Sequence, residues 1–107
     1  MNMIKITYSG RHGLCTEIFA DEEKKVVKIK NYTENVMHRA FGVKEVVTWE
    51  DLELFLERRC FSRHRWDLDV LLNHLGLEKY DPWEIVKKTE GRMAKDNYWL
   101  KMELLDE

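Results

Sequence analysis

Apolar and polar residues alternate along the first part of the chain and then change rhythm. Ile4, Ile6 and Tyr8 alternate with Lys5 and Thr7, the period of a half-buried strand, and Ser9-Gly10 ends the run. His12-Gly13 turns the chain into a second apolar-rich run, Leu14 to Ala20. The polar stretch Asp21 to Lys25 has hairpin length, and Val26 to Tyr32 follows it, so the three runs read as an antiparallel meander. Val43 to Val47 reads as a short fourth strand, while Thr33 to Gly42 has no clear period and is left as loop or a helical turn.

From Thr48 the spacing is helical. Thr48 followed by Asp51 approximates a capping box, after which Leu52, Phe55, Leu56 and Cys60 share one face and Glu50, Glu53 and Glu57 the other. Ser62 is positioned to cap a second helix, in which Leu68, Leu71, Leu72 and Leu75 recur at i, i+3, i+4 and i+7 until Gly76 stops it. Asp81-Pro82-Trp83-Glu84 combines an N-cap, a proline at the first helical position and an early acid, and the helix it starts runs to Gly91. The aromatic tail Asn97 to Met102 reads as a returning strand. The expected fold class is α+β: an N-terminal antiparallel β-hairpin or meander followed by a three-helix C-terminal half. It is read as one domain over 1–107, strand-rich over 1–47 and helical over 48–107.

Composition narrows the function classes. With 107 residues and 12 aromatic side chains among Trp, Tyr and Phe, the chain can bury a core of its own. No apolar run approaches the roughly 20 residues of a membrane span, and no signal peptide is expected. Two cysteines are too few for a secreted disulfide scaffold, so a cytoplasmic location is expected. The net charge of −2 argues against strong non-specific polyanion binding.

Chemistry-bearing constellations are sparse. His12, Cys15, Cys60 and His64 offer a two-sulfur, two-nitrogen set for zinc, but the two pairs have unlike spacings. The plainer reading is a core thiol at Cys60, a strand thiol at Cys15 and two surface histidines. Cys60 with His64 lacks a third group to orient the imidazole, and it falls on the apolar face of its helix. No nucleophile elbow and no glycine-rich phosphate loop is present. No catalytic residue, metal or cofactor is therefore expected, and the chain is not expected to be an enzyme.

The most distinctive feature is a basic knot, Arg58, Arg59, Arg63 and Arg65, inside the otherwise acidic half. Arg58 and Arg59 complement the end of the first helix. Arg63 and Arg65 would open the second, where the dipole disfavours them and some partner must offset the cost. Glu57, Asp67 and Asp69 could do so internally; phosphates or an acidic protein surface could do so externally. Trp66 lies beside the knot and off the Leu68/Leu71/Leu72/Leu75 stripe, as an interface anchor would.

Between Thr48 and Trp99 the chain resembles a small domain of Gram-positive bacteria and their mobile elements. The resemblance rests on Phe55-Leu56-Glu57-x-Arg59-Cys60-Phe61, Arg63 and Arg65, Leu75-Gly76-Leu77, and Tyr80-Asp81-Pro82. It continues through Ile85, Thr89-x-Gly91-Arg92-Met93 and Asp96-Asn97-x-Trp99. A looser form of the pattern resembles the segment ahead of HipA-type kinase domains. Ser62 stands where that pattern has proline, and no kinase signature accompanies the segment, so kinase activity is not implied. What the resemblance implies is an accessory domain in toxin–antitoxin, defence or phage biology.

Together these readings predict a protein-interaction or inhibitor module acting on a bacterial or phage protein partner, with no membrane contact. An anti-CRISPR-like inhibitor of a host nuclease is one version. The expected surface comprises Arg58, Arg59, Arg63, Arg65 and Trp66, with Arg92 and Asp96 nearby. The alternative is a nucleic-acid-binding regulator that uses the arginines on phosphates, a role that Asp67 and Asp69 would oppose.

Overall fold

Alternation in the first 31 residues becomes three strands in the computed structural model, which describes residues 3–11, 13–93 and 96–105. They are β1 (Met3–Gly10), β2 (Gly13–Asp21) and β3 (Val26–Asn31), joined as the expected meander. Three helices follow, α1 (Trp49–Arg58), α2 (Leu68–Leu75) and α3 (Pro82–Thr89), and then β4 (Trp99–Leu105). β4 pairs antiparallel with β1, giving a four-stranded sheet of order β3-β2-β1-β4. The architecture is α+β, and the helical half also supplies a strand.

Register explains which face is covered. Ile29, Ile18, Ile6 and Met102 line up across the four strands, and Tyr8 lies between Thr16 and Leu100. Because successive side chains alternate, these residues share one face. α1 and α3 pack on that face, and Ile6, Ile18, Leu52, Leu56, Ile85 and Leu100 between the layers are fully buried. Each such side chain contributes roughly 1.5–3 kcal/mol relative to exposure, so this seam is the main source of stability. Cys15 is the extra residue of a bulge, since Tyr8 pairs with Thr16 but Ser9 with Leu14.

Local signals work as read at three helix ends. The Thr48 hydroxyl accepts from the Asp51 N–H at 3.1 Å, and the Asp51 carboxylate accepts from the Thr48 N–H at 3.0 Å, completing the capping box. Asp81 accepts from the Trp83 N–H ahead of Pro82. Trp49 and Trp83, each near the start of its helix, stack with centroids 5.4 Å apart and so tie α1 to α3. Gly76 takes the left-handed conformation that ends α2.

Two expectations are corrected. Val43 to Val47 is not a strand: Val43 and Val46 are exposed, only Val47 turns inward, and the nearest pairing is one bridge from Val26 to Thr48. The chain here meets the edge strand β3 only at that one bridge and so remains loop. α2 also begins at Leu68, not after Ser62, because the Ser62 hydroxyl accepts locally from the His64 N–H at 3.1 Å and makes a turn. Arg63 and Arg65 therefore precede the helix, and the dipole cost expected for them does not arise. Thr33 to Gly42 contains a single 3-10 turn, Val36–His38, capped by Asn35. Among the described residues no helix is long and apolar enough to cross a membrane.

Candidate functional site

The four arginines separate into one interior and three surface groups. Arg59, just past α1, turns its guanidinium inwards and is 8% exposed. Nη1 and Nη2 donate to the two Asp96 oxygens at 2.9 and 3.0 Å, Nε donates to the Gly91 carbonyl at 2.9 Å, and Nη2 also donates to the Tyr98 carbonyl at 3.0 Å. The hydrogen bonds from Arg59 hold the Asp96 carboxyl below its usual range, against the opposing effect of burial. Arg59, expected on the docking surface, is interior, and it pairs with Asp96, which stays 33% exposed; the pair ties α1 to the loop before β4. The guanidinium also lies over Tyr8, whose ring stacks on Tyr98 at 5.0 Å. Burial pushes the Tyr8 hydroxyl up to about 12, and the Tyr98 hydroxyl meets His38 Nδ1.

Arg58, Arg63 and Arg65 remain outside. Arg63 Nε donates to Glu57 at 2.9 Å, and its guanidinium lies 4.8 Å from the centre of the Tyr80 ring. Tyr80 in turn donates to the Phe61 carbonyl at 2.7 Å, which fixes that ring. Arg65 holds Asp67 through two hydrogen bonds of 2.9 and 3.1 Å, and these draw the Asp67 carboxyl below its usual value. With the three arginines on its wall, a groove of about 600 Å³ opens over Leu54, Phe61, Tyr80 and Met93. Trp66 follows Arg65 directly and is 94% exposed; Val70, one turn further, is exposed as well. Arg92 does not line this groove. It pairs with Glu90 at 3.2 Å and lies 5.2 Å from the Trp99 ring.

Comparison of the chain with models of known protein families, with curated proteins and with solved structures gave no match. Function is therefore read from the surface itself.

Other polar groups have structural employment. Cys60 is buried and donates to the Leu56 carbonyl at 3.1 Å; burial pushes its thiol up to about 12, with Glu57 and Asp81 acting in the same direction. His64 beside it in sequence is exposed, so the imagined nucleophile pair is a protonated core thiol and a surface imidazole. Burial raises the Cys15 thiol too. Of the four zinc candidates, His12 lies outside the described residues, and among the described residues no three His, Cys, Asp or Glu side chains group as metal ligands would. Cys60 is expected to react with iodoacetamide at pH 8 at least about a hundred-fold more slowly in the folded protein than in urea, since only the thiolate attacks. Mass spectrometry of quenched samples reads this directly, and equal rates in both conditions would contradict the burial.

A second hollow, of about 570 Å³, opens at the end of the sheet, where Cys15 and Asp96 stand among residues that the sequence reading missed. Gly10, Leu14, Cys15, Tyr32, His38 and Tyr98 are among its walls. No spacing signal could have joined them, because His38 sits in the stretch without periodicity and meets Tyr98 across 60 positions.

Proposed function

We propose that the protein is a non-enzymatic interaction module that docks on a bacterial or phage regulatory protein through Trp66, Arg58, Arg63 and Arg65. The observation that carries this reading is the tryptophan. An indole 94% exposed contributes nothing to the core, yet aromatic side chains of this size bury about 150–250 Å² when a partner covers them. Tryptophan and arginine together are the residues on which interface energies concentrate. The groove beside Trp66, with its Leu54, Phe61 and Tyr80 floor, offers a reciprocal recess.

Internal pairing favours a protein over phosphate at this surface. Arg63 and Arg65 already hold Glu57 and Asp67, so a phosphate would have to displace a carboxylate from each. A protein surface can accept the pairs as they stand and seat the indole between them, with complementary charge guiding the approach. The resemblance over Thr48 to Trp99 supplies the proposed context of mobile elements and defence. Occlusion of a nucleic-acid-guided nuclease is one form such docking would take.

The test is affinity capture from a nuclease-treated Gram-positive lysate, comparing wild type with Trp66→Ala and with Arg63→Glu/Arg65→Glu. One stoichiometric protein is expected with wild type and lost with both variants. Trp66→Ala should leave stability within about 0.5 kcal/mol, as for other surface substitutions. Equal capture by Trp66→Ala, or recovery of only DNA or RNA from untreated lysate, would overturn the reading.

A further inference from the structure

The sheet has a second face, which no helix covers among the described residues. Its side chains are set by register. Lys28, Phe19, Lys5 and Glu103 form one row across the four strands, and Lys30, Glu17, Thr7 and Lys101 form the next. Trp99 follows beyond Lys101 on β4, opposite Ser9. Two residues of strand separate successive rows, about 7 Å, and neighbouring strands lie about 4.8 Å apart.

Two properties of this face stand out. The first is aromatic. Phe19 and Trp99 are half-buried and stand apart from the residues that pack on the hydrophobic core; Arg92 lies over the Trp99 ring, 5.2 Å from its centre. A phenylalanine in the middle of a solvent-facing row, flanked by Lys28 and Lys5, stabilises no layer beneath it. The second is charge. The rows carry four lysines and two glutamates, in a protein whose net charge is −2. Of the two acids, Glu17 is mostly withdrawn: its side chain is 13% exposed, with Lys5 Nζ at 3.1 Å and the Tyr32 hydroxyl donating to it. Lys30 lies over the Tyr32 ring, 5.1 Å from its centre. Lys101 Nζ lies 3.4 Å from Glu103. The exposed ammonium groups with no carboxylate at ion-pair distance among the described residues are therefore Lys28 and Lys30 on β3, while the acids of α1 lie on the other side.

We propose that this open face binds single-stranded nucleic acid, with the unpaired Lys28 and Lys30 on phosphates and Phe19 and Trp99 under bases. Ammonium groups interleaved with rings on a flat sheet match a single strand, whose bases can be splayed onto aromatic side chains. A duplex keeps its bases stacked inside and would use only the charge. The site is independent of the Trp66 surface and lies on the opposite side of the sheet from α1, so one molecule could hold a strand and a protein at once.

Fluorescence anisotropy with labelled dT15 tests it, in 50 mM NaCl, against a 15-base-pair duplex and an abasic deoxyribose-phosphate chain of equal length. Wild type is expected to bind dT15 with Kd of about 1–100 µM, with a log–log salt slope of about −1.4 for two phosphate contacts. Lys28→Glu/Lys30→Glu should weaken binding at least about tenfold, because two attractions become repulsions. Phe19→Leu, which keeps the row apolar, should weaken dT15 several-fold and leave the abasic chain unchanged. Arg63→Glu/Arg65→Glu should bind dT15 as wild type does, which separates this site from the protein-docking surface. The proposal fails if dT15 is not bound at 100 µM protein or if the abasic chain or the duplex binds as tightly. It also fails if the arginine variant loses binding while the lysine variant keeps it.

Discussion

Arg59→Ala is expected to destabilise the protein by about 2–4 kcal/mol, through loss of charge-assisted hydrogen bonds from a buried guanidinium. The Asp96 side chain is 33% exposed and regains water, so the cost stays below that of stranding a buried charge. Four hydrogen bonds go at once, leaving the Asp96 carboxylate and the Gly91 and Tyr98 carbonyls without the donor that joins them. A domain of this size commonly has about 5–15 kcal/mol in total, so the variant loses a substantial share of it. Urea denaturation should show the midpoint falling, and the thermal unfolding temperature should drop with it. Arg59→Lys should recover only part of the loss, because a lysine cannot serve both Asp96 oxygens and two carbonyls in one plane. A fall below about 1 kcal/mol would mean that the pair is ornamental.

The same pair sets an acid limit. The folded-state value of Asp96 lies below its ordinary 3.8, so its contribution is complete above the unfolded value and is lost as pH falls below 3.8 towards the depressed folded value. Asp96→Asn should remove that part of the acid-side decline while lowering stability at neutral pH. If wild type and Asp96→Asn lose stability in parallel between pH 5 and pH 2, the carboxylate is not coupled to folding.

Gly91→Ala is the second large effect, at about 2–4 kcal/mol. Gly91 has φ of +61°, and an added Cβ would stand 2.9 Å from Leu100 Cδ1 and 3.1 Å from its Cγ. Leu100 cannot yield: it is 1% exposed, and its N–H donates to the Glu90 carbonyl at 2.6 Å. The left-handed conformation contributes about 1–2 kcal/mol of the cost and overpacking about 1–3. Gly76 is the natural control, with φ of +75° and open space around its missing Cβ. Gly76→Ala should therefore carry only the conformational part. Equal losses for the two variants in parallel denaturation would refute the crowding at Leu100.

Short-range features were legible in the chain. The Ile4/Ile6/Tyr8 alternation, the Thr48–Asp51 box, the Asp81-Pro82 start and the Gly76 stop each involve residues within a few positions, and each appears as read. The start of α2 failed locally, through the Ser62–His64 turn; the other failures came where the deciding partner is remote. Val43 to Val47 has the residue types of a strand, but only the assembled sheet reveals that the chain there meets the β3 edge at a single bridge. Arg59 reads as a helix-end cation until Asp96, 37 positions later, is folded against it. The same holds for the sheet's second face. Lys5, Lys28, Lys30 and Lys101 are scattered in sequence, and only the register makes them neighbours. Arg63 and Arg65 formed the reverse case, conspicuous in sequence and locally paired in the fold. Arg59, Tyr80, Asp81, Gly91 and Asp96, conspicuous in the sequence, make contacts that hold the fold together.

The partnership of β1 with β4 also has a history in time. Met3 lies opposite Leu105, so β1 leaves the ribosome well before its partner β4. At about 5–20 residues per second, synthesis of the intervening chain takes roughly 5–20 s. Throughout that interval the meander can form while one flank of β1 has no neighbour. A nascent chain in this state is open to pairing with another on the same message or to capture by a chaperone. Arrival of Leu100 beneath Gly91 closes that window.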